Sequence, residues 1–333
     1  MVRHQSISAD SFSLSSPYRF DIAGGVSDIP EIGQKTGVAV CNFTVEPRDD
    51  SGHSQCISIT FVRNTTWIFK KNGHSLANSL TQAFAHLYPD FEYKKVIINS
   101  PLDESTGLGG SSIIASLFVI AAQPHLSVLS KIQRAHVLER TQAGIVGGNQ
   151  DFLAAFGSGV NLITDTRIDK LEEKNIFLHF GKGWSDILDT RLFFIKYANS
   201  SISSDQVVND EVIQISQSSH LQSEVKSMVA MNHYVYELLT HDYTPEAMIK
   251  LREVMSESWK IQKSLSTYLV KNENIKRIEH ILDRYNCSYR GPGVGINSMV
   301  LISDDTTHIS ELTKTLVEQI PGIKIYPLQT HTS

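Results

Sequence analysis

Residues 105–112 read STGLGGSS, and the apolar run IIASLFVIAA (113–122) follows without a break. Three readings compete for the glycine-rich stretch: a slack linker, a tight structural turn, or a cradle for phosphate. A linker has polar neighbours, whereas this stretch joins the apolar strand pattern KKVIINS (94–100) to a segment that must be buried. Two familiar phosphate fingerprints fail. The P-loop needs Lys-Ser/Thr after its last glycine and there is no lysine here, and a G-x-G-x-x-G starting at Gly107 and Gly109 meets Ser112 at its third glycine. The physics of anion binding survives both failures. Gly107, Gly109 and Gly110 let backbone N–H groups approach an anion without Cβ clashes, and a helix starting near Ser111 or Ser112 aims its positive end at the same point. The two serines can cap that helix, complete a phosphate's hydrogen bonds or reach Mg²⁺, and these roles are compatible.

The rest of the composition bounds the setting. A chain of 333 residues, 41% hydrophobic and 20% charged, suits one large or two medium globular domains. A net charge of -5 gives no general pull towards nucleic acid or an anionic membrane. Cys41, Cys56 and Cys287 are too few and too scattered for a disulfide framework or a zinc site, which makes a reducing, cytoplasmic setting the expectation. Residues 1–16 show no uninterrupted apolar core of a signal peptide, and 113–122 is about half a membrane span. It reads as a buried core helix.

Strand-like and helix-like segments alternate in the first half. VAVCNFTVEP (38–47) and CISITFVRN (56–64) read as strands around the turn signal RDDSGH, and 74–91 and 126–144 as helices, the latter stopping at Gly144. RLFFIKYA (191–198) is a strand followed by the polar, loop-like NSSISSD (199–205). Residues 206–282 carry long amphipathic helical patterns, and the end reads strand, helix, strand. A boundary near 185–190 is expected, with the second half an α+β unit whose helices pack on one face of an antiparallel sheet.

TGLGGSS resembles the second motif of the GHMP kinases, usually Pro-x-x-x-Gly-Leu-Gly-Ser-Ser-Ala, and three further segments occur in the family's order. SPYRFDIAGGVSDIP (16–30) is similar to the N-terminal motif of the sugar-kinase branch through Pro17, Arg19, Gly24, Gly25 and Asp28. ERTQAGIVGGNQDFLAAFGSGVNLI (139–163) is similar to a segment of the heptose kinases, and RGPGVGINSMVLI (290–302) stands where the family has its third, glycine-rich motif. The chain departs from the pattern as well. Gly110 replaces a serine, Pro101 lies two residues early, and Pro292 and Asn297 stand where glycine is commoner. ISS (202–204) lacks an arginine that the heptose branch often has, so substrate identity does not carry over.

The resemblance implies an α+β, two-domain GHMP kinase fold. Residues 1–187 would form an α/β domain like the second domain of ribosomal protein S5, and 188–333 a ferredoxin-like α+β domain. It implies ATP and Mg²⁺ as cofactors and a sugar or sugar phosphate, such as a heptose 7-phosphate, as the partner, with no nucleic acid or membrane; a homodimer is the only protein assembly entertained. Gly107, Leu108, Gly109, Gly110, Ser111 and Ser112 would hold the nucleotide, Ser111 and Glu139 the metal, and Gly24, Gly25, Asp28 and Asp151 the acceptor. Asp151 would take the acceptor's proton, and Arg19 would ease that proton's departure or stabilise developing charge. From the residues alone the alternatives stay open. Asp151 could cap the helix FLAAF, and Asp28 could be an ordinary turn aspartate. Glu139 shares a helical face with Ile132, Ala135 and His136, yet could pair with Arg140 or Lys131 at the surface.

Overall fold

The computed structural model describes residues 2–102, 106–171, 173–197, 204–293, 297–304 and 306–330. These residues form two sheets. The first runs β1 (Arg3–Ser8), β2 (Ser11–Ser16), β5 (Ile57–Val62), β8 (Tyr93–Asn99), β6 (Asn64–Lys71) and β7 (His74–Ser75), with β6 and β8 parallel and the remaining pairs antiparallel. The second runs β11 (Cys287–Arg290), β12 (Ser298–Ser303), β10 (Leu192–Lys196), β13 (Lys324–Thr330), β4 (Val40–Pro47) and β3 (Tyr18–Asp21). Strand β9 (Val160–Ile163) pairs with residues 40–43 of β4, while β13 takes residues 45–47 on the same edge. Strands from both sides of position 187 therefore share the second sheet.

The strands 38–47 and 56–64 exist as expected, but the turn between them carries the chain from the second sheet to the first. Helix Gly110–Ala122 is apolar around its circumference, and Ser112 to Val119 are all buried, so it runs through the core. Its start at Gly110 is one or two residues before the expected Ser111 or Ser112. The helical pattern at 74–91 yields helix Ser79–Leu87, because Asn78 caps it by accepting from the Thr81 N–H. The helix expected over 126–144 is Val128–His136 and then widens into a π turn, Val137–Gln142, where Ala143 N donates to Leu138 O.

In the second half, helices Ser204–Gln217, Ser219–Thr240, Pro245–Leu265, Thr267–Lys271 and Glu273–Leu282 fill the expected helical region. A separate core joins β10 and β12 to the last of these and to helix Ile309–Gln319 through Ile195, Leu301, Ile278 and Leu316. Up to position 203, the stretch 199–205 falls outside the described residues; its last two residues begin helix Ser204–Gln217. Residues 294–296 of the third glycine-rich segment are likewise outside them. No helix among the described residues is long and apolar enough to cross a membrane.

Candidate active site

β8 delivers the chain to the STGLGGSS loop, and Gly109, in left-handed conformation at φ 78°, opens helix Gly110–Ala122. Gly107 is also left-handed, at φ 70°, and a Cβ there would lie 1.8 Å from Pro292 O. Both positions need glycine on conformation alone, and Gly107 also on space. Leu108 is wholly buried and anchors the loop in the core, while Gly107, Gly109, Gly110, Ser111 and Ser112 line a cavity of ≈ 410 Å³. Leu76, Leu80, Ile98 and Ile114 give that cavity apolar lining, and Asn78 and Ser100 line it too. Arg19, Gly25, Val146, Gln150 and Asp151 also line it.

Asp151 is the second residue of the 3-10 helix Gln150–Ala155, whose N-cap is Asn149. It is therefore not the cap of FLAAF; its Oδ1 accepts from Arg19 Nε, and its side chain keeps 20% exposure towards the cavity. A Cβ on Gly109 would stand 3.1 Å from the Asp151 carboxyl, so the candidate base touches the glycine-rich loop. Arg19 is nearly buried. Burial opposes its charge, but the carboxylates of Asp151 and Asp21 outweigh that and raise its pKa.

Asp28 is fully buried and does not line the cavity. Its Oδ2 accepts from the Gln150 N–H at 2.8 Å, and its Oδ1 lies where a Cβ on Gly148 would sit. It thus holds the backbone that carries Asp151. Burial, with Asp151's negative charge adding to it, pushes the Asp28 carboxyl up to about 7, against the lowering pull of the Gln150 N–H. Gly24 is packed under Met228, and Gly25 against the Gln150 carboxamide, whose Nε2 donates to Gly25 O at 2.6 Å. Of the four residues expected to hold the acceptor, Gly25 and Asp151 reach the cavity and Gly24 and Asp28 support it from behind.

Glu139 sits on the π turn, not at a surface edge, and is fully buried. Its Oε2 accepts from Ser112 Oγ at 2.7 Å, and Oε1 has no partner. Burial raises its pKa, partly offset by Arg140, Ser112 and Ser111. An orphaned, buried carboxylate oxygen beside a glycine-rich helix N-terminus fits a hard divalent cation, which takes one or two carboxylates and completes its shell with phosphate and water. Glu139 and Ser111 both line the cavity and are the residues that would hold it.

The sequence reading missed Arg140 as a site residue. Its Nη2 donates to Gly148 O at 2.9 Å and stands 3.4 Å from Ser112 Oγ; Nη1 donates to Ile145 O. It staples the loop that leads into Asp151, with its guanidinium over the Phe152 ring. Its place directly after Glu139 was the only signal. His136 is pushed down to about 4 by burial and by Arg140, so it stays neutral and packs on Phe152.

No protein-family model matches the chain, and no curated protein does. Solved structures do. A Campylobacter jejuni protein assigned as a sugar kinase is 18% identical and superposes with a TM-score of 0.64 over 98% of this chain and 97% of its own. Mevalonate kinase from Methanococcus jannaschii is 17% identical, TM-score 0.62, over 96% of this chain and 98% of its own. Mevalonate pyrophosphate decarboxylase from Streptococcus pyogenes is 13% identical, TM-score 0.66, over 99% and 100%. The chain has the two-domain GHMP kinase fold.

Proposed function

We propose that this chain is an ATP- and Mg²⁺-dependent kinase that phosphorylates a hydroxyl, by preference the anomeric one, of a sugar or sugar phosphate. The observation that carries this reading is the contact between Asp151 and Gly109: a carboxylate tied to an arginine meets a glycine-rich helix N-terminus inside one cavity. Phosphoryl transfer asks a protein to neutralise phosphate charge, align the acceptor and manage one proton. Backbone N–H groups of Gly107–Ser112 and the helix dipole suit the first task. The apolar lining by Leu76, Leu80 and Ile98 suits a nucleotide base. Asp151 accepts the acceptor's proton, and Arg19 beside it stabilises negative charge developing on that oxygen.

Glu139 and Ser111 would hold Mg²⁺, whose part when bound is to neutralise phosphate charge. The preference for a sugar is supported by the Ala-Gly-Gly-x-x-Asp segment at 23–28 and by the likeness to the C. jejuni protein. The proposed setting is cytoplasmic. A coupled ADP-release assay over free and phosphorylated sugars, with mevalonate and homoserine as comparators, tests the reading. Release stimulated by a sugar supports it, and stimulation by a non-sugar alone would keep the kinase and remove the sugar.

A further inference from the structure

Asp151 and Arg19 do not stand alone. Asp21, two residues from Arg19 on the same face of β3, accepts from Arg19 Nη1 at its Oδ2 and from Arg290 Nη1 at its Oδ1. Arg290, the last residue of β11, also donates from Nη1 to the Asp21 backbone oxygen at 3.0 Å and from Nη2 to Gln262 Oε1 at 2.9 Å. Gln262 Nε2 donates to Gly293 O at 2.6 Å. Asp21 and Arg290 have no exposed surface at all.

A buried ionic row of this kind is not explained by stability, since packed apolar replacements are often neutral or better. Its effect is on geometry. A guanidinium is a rigid fork, and with one edge on Asp21 the other can meet Asp151 from a single direction. Asp21 cannot turn without breaking one of its two arginine bonds, and Arg290 is fixed in turn by Gln262. The row ends at Gly293, where a Cβ would lie 2.8 Å from Gly107 O, so base and phosphate loop hang on one frame.

We propose that Asp21 and Arg290 are positioning residues that hold Asp151 in line through Arg19; the proposal rests on the kinase reading above. Single substitutions would leave a buried charge unpaired and confound folding with positioning. The informative variants remove both charges: Asp21→Leu/Arg290→Met, and as a second, polar version, Asp21→Asn/Arg290→Gln. Each is assayed by ADP release with ATP and free or 6-phosphorylated hexoses, by calorimetry for ATP, and by thermal melting.

Turnover is expected to fall roughly 10²-fold, as for a misplacement of about 1 Å, with ATP affinity within about 3-fold of wild type. Placed in an Asp151→Asn background, the same double change should cost less than about 3-fold further, because no base remains to be positioned. Turnover near wild type in both folded double variants overturns the proposal, as does an equal loss with and without Asp151. A wild-type protein that binds no ATP, or releases no ADP with these hexoses, with the other sugars or with mevalonate or homoserine, fails earlier and removes the kinase reading as well.

Discussion

Asp28 shows how a residue can matter to the site without touching a ligand. Its carboxyl, ordinarily near 3.8, is raised to about 7 by burial, so the folded protein holds a proton there that the unfolded chain has released. Stability from this group is full below 3.8 and is lost as pH rises through 7. Asparagine keeps an oxygen for the Gln150 N–H and cannot ionise. Asp28→Asn should therefore melt higher than wild type by roughly 5 °C at alkaline pH and equally at acidic pH. Thermal melts across that range check it, and a pH-independent difference would mean that the carboxyl is not held protonated. Arg19, Asp151 and Asp28 were legible as candidates because they fall inside short glycine-rich motifs. That Asp28 faces a backbone N–H instead of the cavity was not, since its partner lies 122 residues away and one sequence records no such pairing.

Among the elements, the loop 106–110 with its helix and the π turn 137–142 make the part of the cavity proposed to hold phosphate and metal. At Gly109 an L side chain must adopt φ 78° and stand against Asp151, whereas at Gly110 a Cβ would meet only Ile57 Cδ1 at 3.7 Å. Gly109→Val is expected to abolish ATP binding and to cost about 1–2 kcal/mol of stability from backbone strain. Gly110→Ala should bind ATP normally and melt no lower than wild type. Calorimetry and melts on the pair decide whether the loop is a cradle, since ATP binding retained in Gly109→Val would make it a structural turn. Glu139→Gln keeps the shape and the Ser112 bond but removes the charge beside the orphaned Oε1 site; it should fold, need roughly 10-fold more Mg²⁺ or worse, and turn over more slowly. An unchanged Mg²⁺ titration would return Glu139 to a structural role.

The loop and core helix were readable because glycines and serines interrupt two apolar runs. The π turn was not readable, because the contact it carries, Glu139 to Ser112, joins residues 27 apart in the chain. β1 and β2 went unassigned because RHQSIS and SFSLSS are serine-rich and carry little apolar signal.

At the scale of the molecule, the second sheet joins residues 18–47 to residues 287–330, and the cavity takes Arg19 from the start of the chain and Gly293 from near its end. Arg290 reaches Asp21 across 269 residues, and local pattern could not have paired them. The same fold carries kinases and a diphosphate decarboxylase, so the chemistry rests on the site and not on the architecture. The central claim is that Asp151 takes a proton from an acceptor hydroxyl while the adjoining loop holds ATP. Acceptor-stimulated ADP release by Asp151→Asn, set beside wild type with a melt to confirm folding, tests it most directly. Asparagine keeps the size and reach of the side chain but accepts no proton. Turnover should fall by at least roughly 10²-fold, with ATP and acceptor affinities little changed. Turnover close to wild type in the folded variant would contradict the account.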